Sequence, residues 1–568
     1  MNKILYAFSD QSEIIQEKNL EILKYYRKDS EILVEDYFTL YKGLMSQIDG
    51  CEALIIDVNF LESELEVFEF ATYLRLMKDK YWDIPIFIYS NIGLLGLINL
   101  MKSDLTNITK TNRLQIINND FFKNDALTGK SKLFNNLEII KNEKLDWEKF
   151  VKTIEIKNIE SNNHTIANEW AIYRWSHVIG VEDKEIKKIE EKINKNLYFK
   201  YLQAIYPISK ITKIEKNQLK IKNLKDSKIL YIDDEADKGW NGILREILKI
   251  SDVQNFNILG DKLKGKSKEE IIDLATQEVK ELDADIVILD FRLHEIDFSD
   301  DISQVTGLQI LKKIKKINPG IQVIIFSATN KIWNLQAIQE AGADGFIIKE
   351  LPENSIDSNF TKHSIDFFVE LLNKSVELSF LKNFYEEYNR VTTEILPRKS
   401  FKHQNPLDKK FIEEYLYYLE LGLNSIKKVS ELETAFIMFF IVLENIANNV
   451  VNENDIEEEL NGKNKNYIFS LRNGKKIKAI DIGETVTICD YPHSQTSKII
   501  YWKPKIINVL EFLGYDDNIF KETIDLVEKR NKLIHLDATN KKRDIKDKIN
   551  LSDLKLLYRL ITQNVNNL

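Results

Sequence analysis

Four short apolar runs in the middle of this chain end in residues that do chemistry. Lys228 to Ile232 stops at Asp233, Asp234 and Glu235, and Ile286-Val287-Ile288-Leu289 stops at Asp290. Val323 to Phe326 ends in Ser327, and Gly345 to Ile348 ends in Lys349. Packed carboxylates repel unless a cation or proton joins them, so strands that deliver acids to their carboxyl ends build a cation site. Three carboxylates are hard oxygen donors suited to Mg²⁺. A lysine and a hydroxyl beside them suit a phosphoryl group, which brings added negative charge.

These ends must converge, and the surrounding pattern supplies the means. Strands are predicted at Lys228–Ile232, Phe256–Leu259, Asp285–Asp290, Gln322–Ser327 and Gly345–Lys349. Helical spacing falls between them at about Trp240–Ile250, Lys268–Leu282, Thr306–Ile317 and Ile332–Ala341. Five strands alternating with helices predict a doubly wound parallel sheet, with its site at the carboxyl ends of the strands.

This constellation, over residues 227–376, resembles the flavodoxin-like receiver domain of two-component response regulators. The resemblance implies that Asp290 is the phosphoacceptor and that Asp233, Asp234, Asp290 and the backbone carbonyl of Arg292 hold Mg²⁺. It further implies that Ser327 and Lys349 engage the phosphoryl group and that Phe346 is a switching aromatic. A sensor histidine kinase or another phosphodonor is the implied partner. The run Glu340-Ala341-Gly342-Ala343-Asp344-Gly345-Phe346 also matches the family's approach to its fifth strand. Three departures stand out. The loop Phe291–Val305 is long and acidic, Lys349 is followed by Glu350 with Pro352 displaced, and the loop after the second strand is extended. The long loop could gate Asp290 or add a Mg²⁺ ligand, and a receiver that had lost phosphorylation would serve as a docking platform.

Residues 1–130 show α/β alternation too, with strands at Lys3–Phe8, Ala53–Val58, Ile84–Tyr89 and Leu114–Ile117 and a helix at Glu66–Lys78. Asp57 and Ser90 end two of these strands as Asp290 and Ser327 do. The paired acids and the lysine are missing, so this segment resembles a degenerate receiver with a structural or dimerising role. Residues 131–226 read as a helical connector. There Ile166-Trp170-Tyr173-His177 recur at helical spacing, and Lys184 to Leu197 forms a charged amphipathic helix.

Residues 377–568 read as an all-α output domain. Helices are predicted at Asp408–Lys428, Leu432–Val451, Lys505–Leu513, Phe520–Leu536 and Ser552–Asn564, with an irregular stretch, Gly462 to Tyr501, that could form a hairpin insertion. A helical stretch, His363–Ile395, leads into this domain. The run Arg530-Asn531-Lys532-Leu533-Ile534-His535 puts Asn531 and His535 on one helix face, four apart, with Arg530 flanking it. A histidine exchanges protons near neutral pH and an arginine holds a phosphodiester oxygen, so the pair could drive a 2′-hydroxyl of RNA onto its own phosphate without a metal. Lys541, Lys542, Arg543, Lys546 and Lys548 add a local basic patch. Over residues 400–568 this resembles the HEPN superfamily, whose Arg-x4-His motif often marks a dimeric ribonuclease. The resemblance implies His535 as general acid/base, Arg530 as phosphate or transition-state stabiliser, Asn531 as a positioning residue, an RNA substrate and a homodimer. Glu444 and Asn445 lie on the helix expected to pack against the motif. A solvated helix end favoured by the helix dipole would carry the same residues.

Composition sets the frame. The chain has 568 residues, 43% hydrophobic and 30% charged, which predicts a folded protein of three or four domains. Its net charge of −9 disfavours bulk non-specific nucleic-acid binding, though a local patch still could act. Two cysteines exclude a disulfide framework or a four-thiolate zinc site. No apolar run is long enough to span a bilayer and the first residues read as a strand, so a cytoplasmic protein is expected. The reading is thus a phosphoryl-controlled HEPN-like endoribonuclease suited to bacterial stress response or phage defence. The alternative is a non-enzymatic phosphorelay or dimerising adaptor; transcriptional output is disfavoured because no helix-turn-helix with a basic recognition helix stands out.

Overall fold

The computed structural model describes residues 4–8, 21–23, 37–118, 135–396, 409–534 and 548–563, apart from short stretches inside those spans. The chain forms two compact units. One holds Met1–Lys220, Glu235–Lys249 and Ile348–Phe367, and the other holds Ile221–Asp234, Ile250–Ile347 and Phe368–Leu568.

In the first unit, strands β1 (Ile4–Ala7), β2 (Glu21–Leu23), β3 (Ala53–Asp57), β4 (Ile86–Tyr89) and β5 (Leu114–Ile117) form a parallel sheet in the order β2-β1-β3-β4-β5. Strands β1, β3 and β4 are wholly buried, as continuous apolar runs require in a doubly covered sheet. The sequence pattern misses β2, because three residues carry no usable periodicity. Helices follow at Trp147–Thr153, Asn163–Ile179, Lys184–Lys195 and Leu197–Ile205. The predicted helix Lys184–Leu197 in fact breaks at Asn196. That residue is extended, and its side chain accepts the Phe199 N–H to start a new helix. The helix Trp240–Leu248 belongs to this unit as well.

The second sheet is built from β6 (Ile229–Ile232), β7 (Phe256–Leu259), β8 (Ile286–Leu289), β9 (Gln322–Ser327) and β10 (Gly345–Ile348), in the order β10-β9-β8-β6-β7. The β6–β7, β6–β8 and β8–β9 pairs are parallel. Leu230, Val287, Val323 and Ile325 pack with residues of the helices Lys268–Leu282 and Thr306–Ile317 in one buried cluster. A capping box, Ser267 with Glu270, fixes the start of the first of these helices, which turns the extended loop after β7 into a defined entry. All five strands match their predicted positions to within one residue at either end; β6, β8 and β9 are wholly buried, largely apolar runs, whereas β7 and β10 are only partly buried.

The carboxyl-terminal helices Lys409–Ser425, Glu433–Val450, Asp517–Ile534 and Leu551–Thr562 share one apolar core. Its aromatic centre stacks Phe384 on Tyr558 at 3.9 Å, with Phe439 alongside Tyr558 at 5.1 Å. The predicted helical approach, His363–Ile395, is observed as Phe360–Leu378, Phe380–Arg390 and a π turn over Val391–Ile395. One expectation needs correcting. Strand structure begins earlier than Gly462: Val451–Asn461 pairs antiparallel with Asn464–Leu471, which pairs with Lys476–Lys478. The acidic run in the first of these strands hides its period; cross-strand pairing such as Glu457 with Ile468 and Glu458 with Tyr467 sets the register. Among the described residues, no helix is long and apolar enough to cross a membrane.

Candidate phosphoryl-accepting site

Strand β6 hands Asp233 and Asp234 to the carboxyl edge of the second sheet, and β8 hands over Asp290. A carboxylate oxygen of each lies within 4.8 Å of the others. Asp233 and Asp290 are fully buried and Asp234 is half-buried. Three carboxylates this close, two of them dry, are a donor set that fits a hard divalent cation. The Tyr231 phenol donates to Asp233 Oδ2 at 2.6 Å, and the Phe291 N–H donates to Asp290 Oδ1 at 2.6 Å. Burial, reinforced by Asp233 and the other acids, pushes the Tyr231 phenol well above its usual range, so it stays a donor.

Backbone geometry at the edge is tight. The Asp290 N–H donates to the Ile232 carbonyl at 2.9 Å, tying the two acid-bearing strand ends together. Gly307, at the start of its helix, donates its N–H to the Phe291 carbonyl at 3.1 Å. A Cβ there would lie 2.4 Å from the Asp290 carbonyl oxygen, so glycine is needed for this approach. Ser327 ends β9 with 1% exposure, and half-buried Phe346 lies in β10 against the core. Lys349 follows β10 and is fully buried, its ammonium 5.5 Å from the centre of the Trp240 ring. Arg292 is half-buried; burial lowers its pKa, opposed by the nearby charges of Asp290 and Asp297.

The long loop after Asp290 is knotted around one carboxylate. Asp297, 1% exposed, accepts N–H bonds from Leu293 at 3.0 Å, His294 at 3.2 Å and Thr306 at 3.0 Å, and the Thr306 hydroxyl at 2.8 Å. Lys268 stands 3.7 Å away. This acid is engaged in holding the loop closed on itself.

Two acids beside the site were passed over in the sequence. Glu235, directly after Asp234, is gripped by Lys238 at 2.6 Å and by the Asn168 amide. Glu350, directly after Lys349, is fully buried and pairs with Arg174 at 2.6 Å. The Ser355 and Thr361 hydroxyls also donate to it, at 2.6 Å and 2.5 Å. Burial pushes the Glu350 carboxyl up and the Arg174 guanidinium down, and each charge opposes the shift of the other. The displaced proline is thus accounted for: the position after the lysine carries a buried, paired acid. The sequence signal was only that Glu235 and Glu350 adjoin the motif residues.

In the first sheet, Asp57 is buried at the end of β3 and accepts the Asn59 N–H at 2.9 Å; burial raises its pKa. Ser90 is buried and its hydroxyl accepts the Ile92 N–H at 3.3 Å. Among the described residues, Asp57 belongs to no cluster of three or more potential metal ligands. At the carboxyl-terminal motif, Arg530 pairs with Glu444 at 2.6 Å, lies over Phe440 at 5.6 Å and donates to Asn531 at 3.1 Å. Asn531 is exposed. Asn445, next to Glu444, buries its Nδ2 without a hydrogen-bond partner among the described residues. His535 and the cations Lys541, Lys542, Arg543 and Lys546 lie outside the described residues, and Lys548 is exposed.

Residues 267–360 match the response regulator receiver domain family. The acids at Asp233 and Asp234 precede that stretch. The chain is similar to the chemotaxis protein CheY of Thermotoga maritima, 26% identical over 138 residues, which cover 24% of this chain and 97% of CheY. It is also similar to the transcriptional regulatory protein ZraR of Escherichia coli, 31% identical over 97 residues, covering 16% of this chain and 20% of ZraR. The chain therefore spans only a fifth of ZraR. A solved yeast Spc42 coiled-coil fusion aligns with 30% of this chain and 97% of its own at 20% identity, but its TM-score of 0.18 carries no argument. The matched stretch contributes β8, β9, β10 and Asp290, while β6, β7, Asp233 and Asp234 precede it in the same sheet and acid cluster; residues 267–360 are a response regulator receiver domain match.

Proposed function

We propose that this chain is a phosphoryl-regulated signalling protein whose output is a HEPN-type endoribonuclease in its carboxyl-terminal helical region. The observation that carries the input is the convergence of Asp233, Asp234 and Asp290 at one sheet edge. A carboxylate oxygen of Asp290 attacks the phosphorus of a donor, such as a sensor kinase phosphohistidine. The bond from phosphorus to the donor breaks and an acyl phosphate forms; water later returns the carboxylate and orthophosphate. Asp233, Asp234, Asp290 and the Arg292 carbonyl would hold Mg²⁺, which would supply charge neutralisation when bound. Tyr231 holds Asp233 for that role. Ser327 and Lys349 serve the phosphoryl oxygens, and Phe346 follows the switch. The first domain is a degenerate copy with a structural or dimerising role, and the segments 1–130, 131–226, 227–376 and 377–568 are the working divisions.

For the output, Arg530 stabilises the scissile phosphate, Asn531 positions it and His535 transfers the proton, in a homodimer acting on RNA in the cytoplasm during stress or phage attack. The unpartnered Nδ2 of Asn445 beside the Arg530–Glu444 pair favours this reading, since native proteins rarely leave such a group without a role. The adaptor reading has its own support: Arg530 is held between Glu444 and Phe440, as a residue clamping two helices would be. The test is purified protein with and without beryllofluoride, incubated with mixed cellular RNA and no divalent metal other than Mg²⁺. Cleavage that changes with beryllofluoride and is lost in His535→Ala supports the nuclease. Intact RNA in every condition, with a dimer that persists, replaces it by the adaptor.

A further inference from the structure

One helix of the first unit, Asn163–Ile179, carries a buried polar face that no part of the receiver chemistry uses. Its Asn168 is fully buried. The Asn168 Nδ2 donates to a Glu235 carboxylate oxygen, and its Oδ1 accepts the Trp240 Nε1–H at 2.6 Å. Both ends of the amide are therefore fixed. Aspartate at this position would put a second anion against Glu235 and remove the donor. Lys238 takes the other Glu235 oxygen at 2.6 Å, so the residue that directly follows Asp233 and Asp234 is held on both sides.

Six residues along the same helix, Arg174 does the equivalent on the lysine side. It pairs with Glu350, donates to the Tyr206 carbonyl at 3.1 Å and reaches the Thr361 hydroxyl at 3.2 Å. Both partners of the pair are 1% exposed or less. Trp170 adds a relay: its Nε1–H donates to the Ser355 hydroxyl at 2.9 Å, which donates on to Glu350. Trp175 meets Trp240 edge to face at 5.5 Å, and the face of Trp240 carries the Lys349 ammonium. One rigid helix thus grips the residue after the paired acids and the residue after the lysine. Dry polar networks of this kind are costly to leave partly satisfied, so a change at one grip is not absorbed locally.

We propose that Asn168 and Arg174 are positioning residues of the phosphoryl-accepting site. Asn168 sets the metal-binding acids through Glu235, and Arg174 sets Lys349 through Glu350. This rests on the receiver reading of Asp233, Asp234, Asp290 and Lys349. The two grips have separable consequences. Asn168→Asp weakens Mg²⁺ binding by about tenfold, the scale on which groups behind metal ligands act. Arg174→Lys changes the half-life of the acyl phosphate severalfold and leaves the Mg²⁺ affinity within about twofold of the original, because the metal acids keep their supports.

The experiment uses the full chain. Mg²⁺ titrations followed by tryptophan fluorescence give the affinity, and decay of label after reaction with acetyl phosphate gives the half-life. Lys238→Ala, which removes a partly exposed support of Glu235 without opening the core, shifts Mg²⁺ affinity in the same direction as Asn168→Asp, and it carries the test if the latter fails to fold. The inference is overturned if the folded variants bind Mg²⁺ and lose phosphate as the original does, or if both variants shift both quantities equally, as general loosening would. Should the unaltered chain match its Asp290→Asn variant in showing neither Mg²⁺ binding nor label, the receiver reading falls and this inference with it.

Discussion

The two sheets of this protein run their strands in the same order, yet among the described residues three clustered acids are found at only one of them. Read from the second strand of each, the orders are β2-β1-β3-β4-β5 and β7-β6-β8-β9-β10. The central strands even share residues: Ile4-Leu5-Tyr6 opens β1 and Ile229-Leu230-Tyr231 opens β6. Registers correspond too. Ala7 pairs with Ile56 as Ile232 pairs with Leu289, so Phe8 stands where Asp233 stands and Asp57 where Asp290 stands. Phe8 is buried and packs on Tyr89 at 5.5 Å, in a cluster with Tyr6 and Ile117. The topology makes a place at the strand ends, and one residue type at that place decides between a cation site and an aromatic plug.

The largest expected difference between the two edges is chemical. Treated with acetyl phosphate and Mg²⁺, the chain should take one label, read by intact mass. Asp290→Asn should abolish it and Asp57→Asn should leave it unchanged; label persisting in Asp290→Asn would break the contrast. Next in size is the attempt to convert one edge into the other. Phe8→Asp should destabilise the first unit by about 4 kcal/mol, because it empties an aromatic site and buries an unpaired charge. It should gain no Mg²⁺ affinity, and limited proteolysis of the first unit measures the cost.

The smallest effect concerns Glu69, in the helix Glu64–Leu76 of the first unit. Burial, aided by the neighbouring Glu66, raises its carboxyl from 4.5 to about 7. The folded state then holds the proton more tightly than the unfolded chain between those values. Stability falls as pH rises through that window and is level above it. Glu69→Gln should therefore raise the unfolding free energy above pH 7, by an amount on the order of 1–2 kcal/mol once its partial exposure is discounted, with a higher melting temperature there, and should be neutral below about pH 4.5. Thermal scans at pH 4.5 and 8 check the sign.

Much of the receiver was legible in the sequence, for a definite reason. Strands such as Ile286–Leu289 are buried on both faces, so they read as apolar runs, and their last residue falls at the sheet edge. Asp290 could be found without coordinates on that ground alone. A hairpin was legible within Gly462–Tyr501 but its first strand was not, because Val451–Asn461 is rich in acids and owes its strand to its partner. Loop Phe291–Val305 was read as a reservoir of acids, whereas Asp297 turns inward and holds it closed.

The sequence by itself determined which residues stand at the strand ends, since burial and chain direction follow from local apolar pattern. Tertiary structure decided what stands behind them. Asn168 and Arg174 sit in a helix that reads as ordinary packing, and Glu235 and Glu350 read only as neighbours of the motif residues, with no partner assigned. Their pairing joins residues 67 apart for Asn168 and Glu235, and 176 apart (350 − 174) for Arg174 and Glu350. A buried charge is tolerated only where a partner meets it, and no periodicity in the chain records which distant partner that will be.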